Sequence, residues 1–126
     1  MKTVVALCVV LVLLYHVEGA APGTQCTSSH GCGSCCRDSN GRVISTDQGN
    51  VPFDGLGGRN GMCSTKKAVK GEICDSSCQC DTGLACYRPL TGACCLPSTC
   101  VDEAYAQKQH AYWASCFANP QCALPA

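Results

Sequence analysis

The chain has 126 residues, nine basic and nine acidic with no net charge, and 15 cysteines. The balance excludes nucleic acid and anionic membrane as main electrostatic partners, because no global field steers the chain towards a polyanion. Residues 20–126 hold thirteen Leu, Ile, Val or Phe, about 12%, where below ~20% a chain struggles to collapse, so a conventional oily interior is excluded as the main support.

Lys2 precedes twelve uninterrupted apolar residues, Val4 to Tyr15, followed by Val17-Glu18-Gly19-Ala20. These are the charged, apolar and small-residue zones of a signal peptide over 1–19, with cleavage expected after Gly19. The run is shorter than the ~18 residues a membrane span wants, so no transmembrane segment is expected and the product should be secreted and extracellular. Cys8 leaves with the leader. The remaining Cys26, Cys32, Cys35, Cys36, Cys63, Cys74, Cys78, Cys80, Cys86, Cys94, Cys95, Cys100, Cys116 and Cys122 can close seven disulfides, as expected in an oxidising compartment. At roughly 2 to 5 kcal/mol each, such links replace missing apolar burial, and reduction should unfold the chain.

Spacing divides residues 20–126 into four stretches. Cys26 to Cys36 is a tight C-x5-C-x2-CC cluster of short branched loops. Residues 37–62 have no cysteine but six glycines and Pro52, which predicts a long, exposed, mobile loop. Within it, Asn40-Gly41 signals a turn and Arg42 to Thr46 one strand of a short hairpin. Cys63 to Cys95 reads as small stapled hairpins, with turns at Asp81-Thr82-Gly83 and Leu90-Thr91-Gly92 and a strand at Leu84 to Tyr87.

In the last stretch, Val101, Tyr105, Tyr112 and Cys116 recur at helical spacing. Thr99 with Asp102 suggests a cap and Asn119-Pro120 a stop. Tyr105, Tyr112 and Cys116 are the expected core face, with Trp113 and Phe117 on an adjoining one.

Gly71-Glu72-Ile73-Cys74, Cys78-Gln79-Cys80 and the run Cys80 to Cys86 with its Gly83-Leu84 turn resemble the second half of the colipase-like cysteine framework. Prokineticins, related venom proteins and Dickkopf cysteine-rich domains share that framework. Cys35-Cys36 after Cys26 and Cys32 fits its opening half. The resemblance covers Cys26 to about Cys95 and implies bridges Cys26 to Cys36, Cys32 to Cys63, Cys35 to Cys78, Cys74 to Cys86, and Cys80 to Cys94 or Cys95. The remaining one of Cys94 and Cys95, with Cys100, Cys116 and Cys122, would then staple the helical tail. That tail, CC-x4-C-x15-C-x5-C, is similar in spacing to the end of cone-snail con-ikot-ikot toxins. Prokineticins begin with a short apolar segment that activates their receptors, whereas this chain after cleavage begins Ala20-Ala21-Pro22-Gly23, which argues against direct agonism of those receptors.

The expected fold is small and disulfide-rich: short β-hairpins in a colipase-like module over 20–95, with the Gly-rich loop 37–62, plus one C-terminal α-helix in a stapled extension over 96–126. Cys32-Gly33-Ser34-Cys35 has the form of a redox C-x-x-C, but lies among further cysteines rather than at a βα junction, so it reads as structural. Thiolates with His30 make a poor zinc site in an oxidising compartment. His30 and His110 belong to no catalytic pattern, and Cys94-Cys95 is followed by Leu-Pro-Ser-Thr rather than the His-Asp pair of a secreted phospholipase A2. Gly55-Leu56-Gly57-Gly58 lacks the Lys-Ser/Thr of a phosphate loop. No enzyme and no cofactor or metal is expected.

Arg59, Lys66, Lys67 and Lys70 are the main basic concentration. They read as ordinary solvated surface, as a patch for an acidic receptor or channel vestibule, or, at Lys66-Lys67, as a dibasic processing site. Trp113, if exposed, is the natural partner anchor. The expected function is that of a toxin-like ligand, with a membrane receptor or ion channel as partner and a monomer in preference to an oligomer. The alternatives are an endogenous prokineticin- or Dickkopf-type signalling factor, or a lipid-interface or defence protein.

Overall fold

A computed structural model describes residues 19–45, 60–92 and 96–125. The expected signal peptide up to Glu18, Arg59, Cys94, Cys95 and most of the Gly-rich loop lie outside the described residues. Two small antiparallel sheets and one long helix make up the fold. The first sheet has the order β1 (Gln25–Cys26), β4 (Gly61–Ser64), β2 (Cys35–Arg37), β3 (Val43–Ile44). The second pairs β5 (Leu84–Tyr87) with β6 (Thr99–Asp102). A single turn, α1 (Ser29–Cys32), precedes β2, and α2 (Glu103–Phe117) follows β6 directly.

β2 organises the molecule because successive side chains of a strand point to opposite faces. Cys36 faces one way, into a cluster with Cys32, Ile44 and Cys63, and is bonded to Cys26. Cys35 faces the other way with Val43, Ala68, Cys74, Cys78 and Cys100, and is bonded to Cys78. Arg37 shares the Cys35 side. Sulfur therefore cross-links the first sheet within itself and to α1 on one face and ties it to the later segment on the other, and half-cystines dominate each core cluster, as the shortage of aliphatic residues requires. β4 lies against β2 so closely that a Cβ on Gly61 would stand 2.3 Å from the Arg37 carbonyl oxygen.

The disulfides among the described residues are Cys26–Cys36, Cys32–Cys63, Cys35–Cys78, Cys74–Cys86, Cys80–Cys100 and Cys116–Cys122. The first four are pairs that the cysteine framework implies. The fifth corrects the expectation: Cys80 bonds Cys100, not Cys94 or Cys95. Cys100 reaches Cys80 because β6 is held from both sides. It pairs with β5 in the register Cys86↔Cys100, and the Cys100 N–H and carbonyl bond Glu72 O and Gly71 N at 2.9 and 2.8 Å. Thr99 to Asp102, expected as the cap and first residues of the helix, is instead a strand that completes the hairpin begun by Leu84 to Tyr87.

The predicted loop over 37–62 is ordered at both ends. Arg37 belongs to β2, Val43 and Ile44 are buried in β3, and Gly61 and Met62 belong to β4. The Asn40-Gly41 turn is present: Asp38 Oδ1 accepts from the Asn40 and Arg42 N–H groups, and Gly41 takes a φ of 78°.

The helix is present but starts at Glu103, with Val101 and Thr99 in β6. Asp102 occupies the cap position without capping, since its carboxylate pairs with Lys70. Its buried face is also different from the one expected: Ala106 and Trp113 are covered, while Tyr105 and Tyr112 are exposed and Cys116 half-buried. The covered stripe is set by contact with β5 and β6.

Candidate functional site

Arg37 projects from β2 beneath the segment 66–72 and is 10% exposed. Its Nη1 donates to Gly41 O at 2.8 Å and Glu72 Oε1 at 2.7 Å; its Nη2 donates to Glu72 Oε2 and Lys67 O, both at 3.0 Å. Lys66 O stands at 3.5 Å from the same nitrogen. Glu72 Oε2 also accepts from the Val69 N–H at 2.8 Å, closing the turn 69–72. The Arg37 guanidinium, hydrogen-bonded to Glu72, holds that carboxyl below the usual glutamate range, with the Val69 N–H acting in the same direction against partial burial.

The next residue is clamped from the opposite side. Ala68 is fully buried, its N–H donating to Gln79 O and its carbonyl accepting from Asp81 N–H, each at 2.9 Å. Lys66-Lys67 is therefore a stretch whose backbone is fixed on two sides while both side chains are exposed. Among the described residues no carboxylate forms a salt bridge with either lysine. This geometry argues against dibasic processing, because a protease needs to draw the scissile segment into an extended strand.

Next to Thr65, which precedes the lysines in the chain, lies an open groove of about 590 Å³ along β1, β2 and β4 of the first sheet. The pairings Gln25↔Met62 and Arg37↔Met62 set these three side chains abreast. Met62, 56% exposed, forms an apolar floor, and Ser64 and Thr65 lead to the lysine pair. A thioether floor that repacks easily, next to two fixed cations, suits an amphipathic, acidic partner.

The other candidates do not join this surface. Lys70 forms a salt bridge with Asp102, so its charge is largely compensated. Trp113 is 7% exposed and is not a presented anchor as the chain is folded. Its side is shaped by α2 packing on β5 and β6, far along the chain from the lysines. Sequence reasoning missed Arg37, Glu72 and Met62. Glu72 stands in the Gly71-Glu72 stretch used for the framework resemblance, but nothing there signals its partner.

Cys32 and Cys35 do not bond each other: their partners are Cys63 and Cys78. Cys26, Cys32 and Cys63 group their sulfurs closely, as do Cys74, Cys80 and Cys86, but all six are in disulfides and present no thiolate to a metal.

What fold and site define is a small, disulfide-rich protein of short antiparallel strands with one C-terminal helix. Its cross-link density fits an extracellular setting. Among the described residues no helix is long and apolar enough to cross a membrane. Compared with protein-family profiles, with curated proteins and with solved structures, the chain has no significant match.

Proposed function

We propose that this chain is a secreted, toxin-like polypeptide ligand on a colipase-like cysteine framework, acting on a membrane receptor or ion channel by binding rather than catalysis. The observation that carries the reading is the double tether of Lys66-Lys67, held by Arg37 on one side and by the buried Ala68 on the other. A recognition loop fixed before contact loses little entropy on binding. Its two lysines, which form no salt bridge among the described residues, raise the rate of encounter with an acidic vestibule and make that rate salt-dependent. Met62 supplies the apolar contact beside them.

The test is a screen of the full secreted protein on a panel of channels and receptor-bearing cells, followed by Lys66→Ala/Lys67→Ala and Met62→Ala on whichever target responds. The double lysine variant should slow association about tenfold and flatten its salt dependence; Met62→Ala should speed dissociation. A responding target on which all three substitutions leave kinetics unchanged overturns the site.

A further inference from the structure

α2 carries a second surface of a different chemistry. Trp113 is buried, and its ring is flanked by two rings that are not. Tyr112 meets it edge-on at 5.0 Å between centroids, and Phe117 lies tilted against it at 5.8 Å. Tyr112 and Phe117 are 57% and 61% exposed. The central indole thus props two outward aromatic side chains. The helix end behind them is fixed as well: Cys116 bonds Cys122, and the Asn119 N–H and Ala118 N–H both donate to Cys116 O.

Residues 109–126 are eighteen consecutive positions without a Lys, Arg, Asp or Glu, and Leu124 is exposed among them. A protein interface core is normally ringed by polar and charged groups that fix the partner's register. A zwitterionic lipid headgroup layer needs no such ring. It takes aromatic side chains at the depth where an apolar body and a polar tip are both satisfied, and it penalises formal charge.

From this we infer that the Tyr112–Trp113–Phe117 face of α2 is a lipid-interface docking surface, which seats on a zwitterionic bilayer without help from the cationic groove. The inference does not rest on the receptor reading: a chain that binds lipid and no receptor, or the reverse, separates the two. If both hold, the aromatic face concentrates the ligand at the membrane while the Lys66-Lys67 groove is left free for its target.

Trp113 is the only tryptophan in the chain, so the experiment needs no label. The full secreted protein is floated with phosphatidylcholine vesicles, and its fluorescence is followed with vesicles of bromine-labelled phosphatidylcholine. Expected are co-flotation, quenching of Trp113 by the brominated chains, and insensitivity of both to added salt and to admixed phosphatidylserine. Phe117→Ser and Tyr112→Ser should each weaken partitioning about tenfold, the effect of losing one buried aromatic body. Lys66→Ala/Lys67→Ala should leave it unchanged.

Absence of flotation and quenching for the wild-type protein overturns the inference, whatever the variants do. So does binding that requires phosphatidylserine and is lost in salt or with the lysine variant. A concentration-dependent dimer that covers Tyr112 and Phe117 and ignores vesicles overturns it in favour of a second copy of the chain.

Discussion

Arg37 and Glu72, 35 positions apart, meet in a two-pronged salt bridge with N···O distances of 2.7 and 3.0 Å. The bridge joins the first sheet to the segment 66–72 on the same face of β2 from which Cys35 bonds Cys78. One link is covalent and one is ionic. The ionic one sets the conformation of the exposed lysines.

Glu72→Gln should therefore loosen the lysine segment before anything else. Removing a charge-assisted hydrogen-bond pair of this burial costs about 2 kcal/mol, which corresponds to about 30-fold faster opening-limited cleavage by trypsin after Lys66 or Lys67. Because Cys35–Cys78 spans the cut, the nicked product gains one water in intact mass and separates only after reduction.

The same pair gives an acid dependence. The Glu72 carboxyl is held below its ordinary value, first by the Arg37 hydrogen bonds. A depressed carboxyl contributes stability in full above the unfolded value of about 4.3 and loses it as pH falls through the folded value beneath. The urea midpoint should thus fall as pH is lowered below about 4.3, and the fall should shrink in Glu72→Gln. An equal fall in wild type and variant would remove Glu72 from the account.

Ser29 is fully buried, donates through its hydroxyl to Ile44 O at 2.8 Å and accepts from the Cys36 N–H at 3.1 Å. Ser29→Ala removes both of these buried hydrogen bonds beside the Cys32, Cys36 and Cys63 half-cystines. The expected loss is about 2 kcal/mol, read as a lower denaturant midpoint with the disulfide pairing intact.

Peptide mapping of the unreduced protein should yield a Cys80–Cys100 pair and a Cys116–Cys122 pair. Deleting links pairwise should then follow loop length. On the chain-entropy account, loss of Cys35–Cys78, which spans 43 positions, costs about 4 kcal/mol. Loss of Cys116–Cys122, which spans 6, costs about 2.2 kcal/mol. Calorimetry of the two double Cys→Ser variants checks the order.

Several elements were legible before any coordinates. Asn40-Gly41 and Asp81-Thr82-Gly83 specify their turns through local backbone preferences, and both are present, with Gly41 and Gly83 at positive φ. Leu84 to Tyr87 is a strand, bounded by turn residues on its own sequence. The C-terminal helix was visible from its periodicity, but its buried face was not. Tyr105, Tyr112, Trp113 and Phe117 are all apolar enough to face inward, and only the tertiary fold selects Trp113 for burial. Likewise, nothing local in Lys70 marks it as different from Lys66 or Lys67; Asp102, 32 positions on, makes the difference.

The amino-acid sequence by itself determined that sulfur, rather than aliphatic burial, holds this protein together, because an even set of fourteen cysteines follows the N-terminal apolar stretch and few other core formers do. It also determined the short turns, whose energetics are confined to a few neighbouring residues. Only the tertiary structure decided that Cys80 meets Cys100, that Arg37 steadies the lysine pair, and which aromatic rings face solvent. Each of those depends on groups brought together across tens of residues, where spacing along the chain no longer measures distance in space.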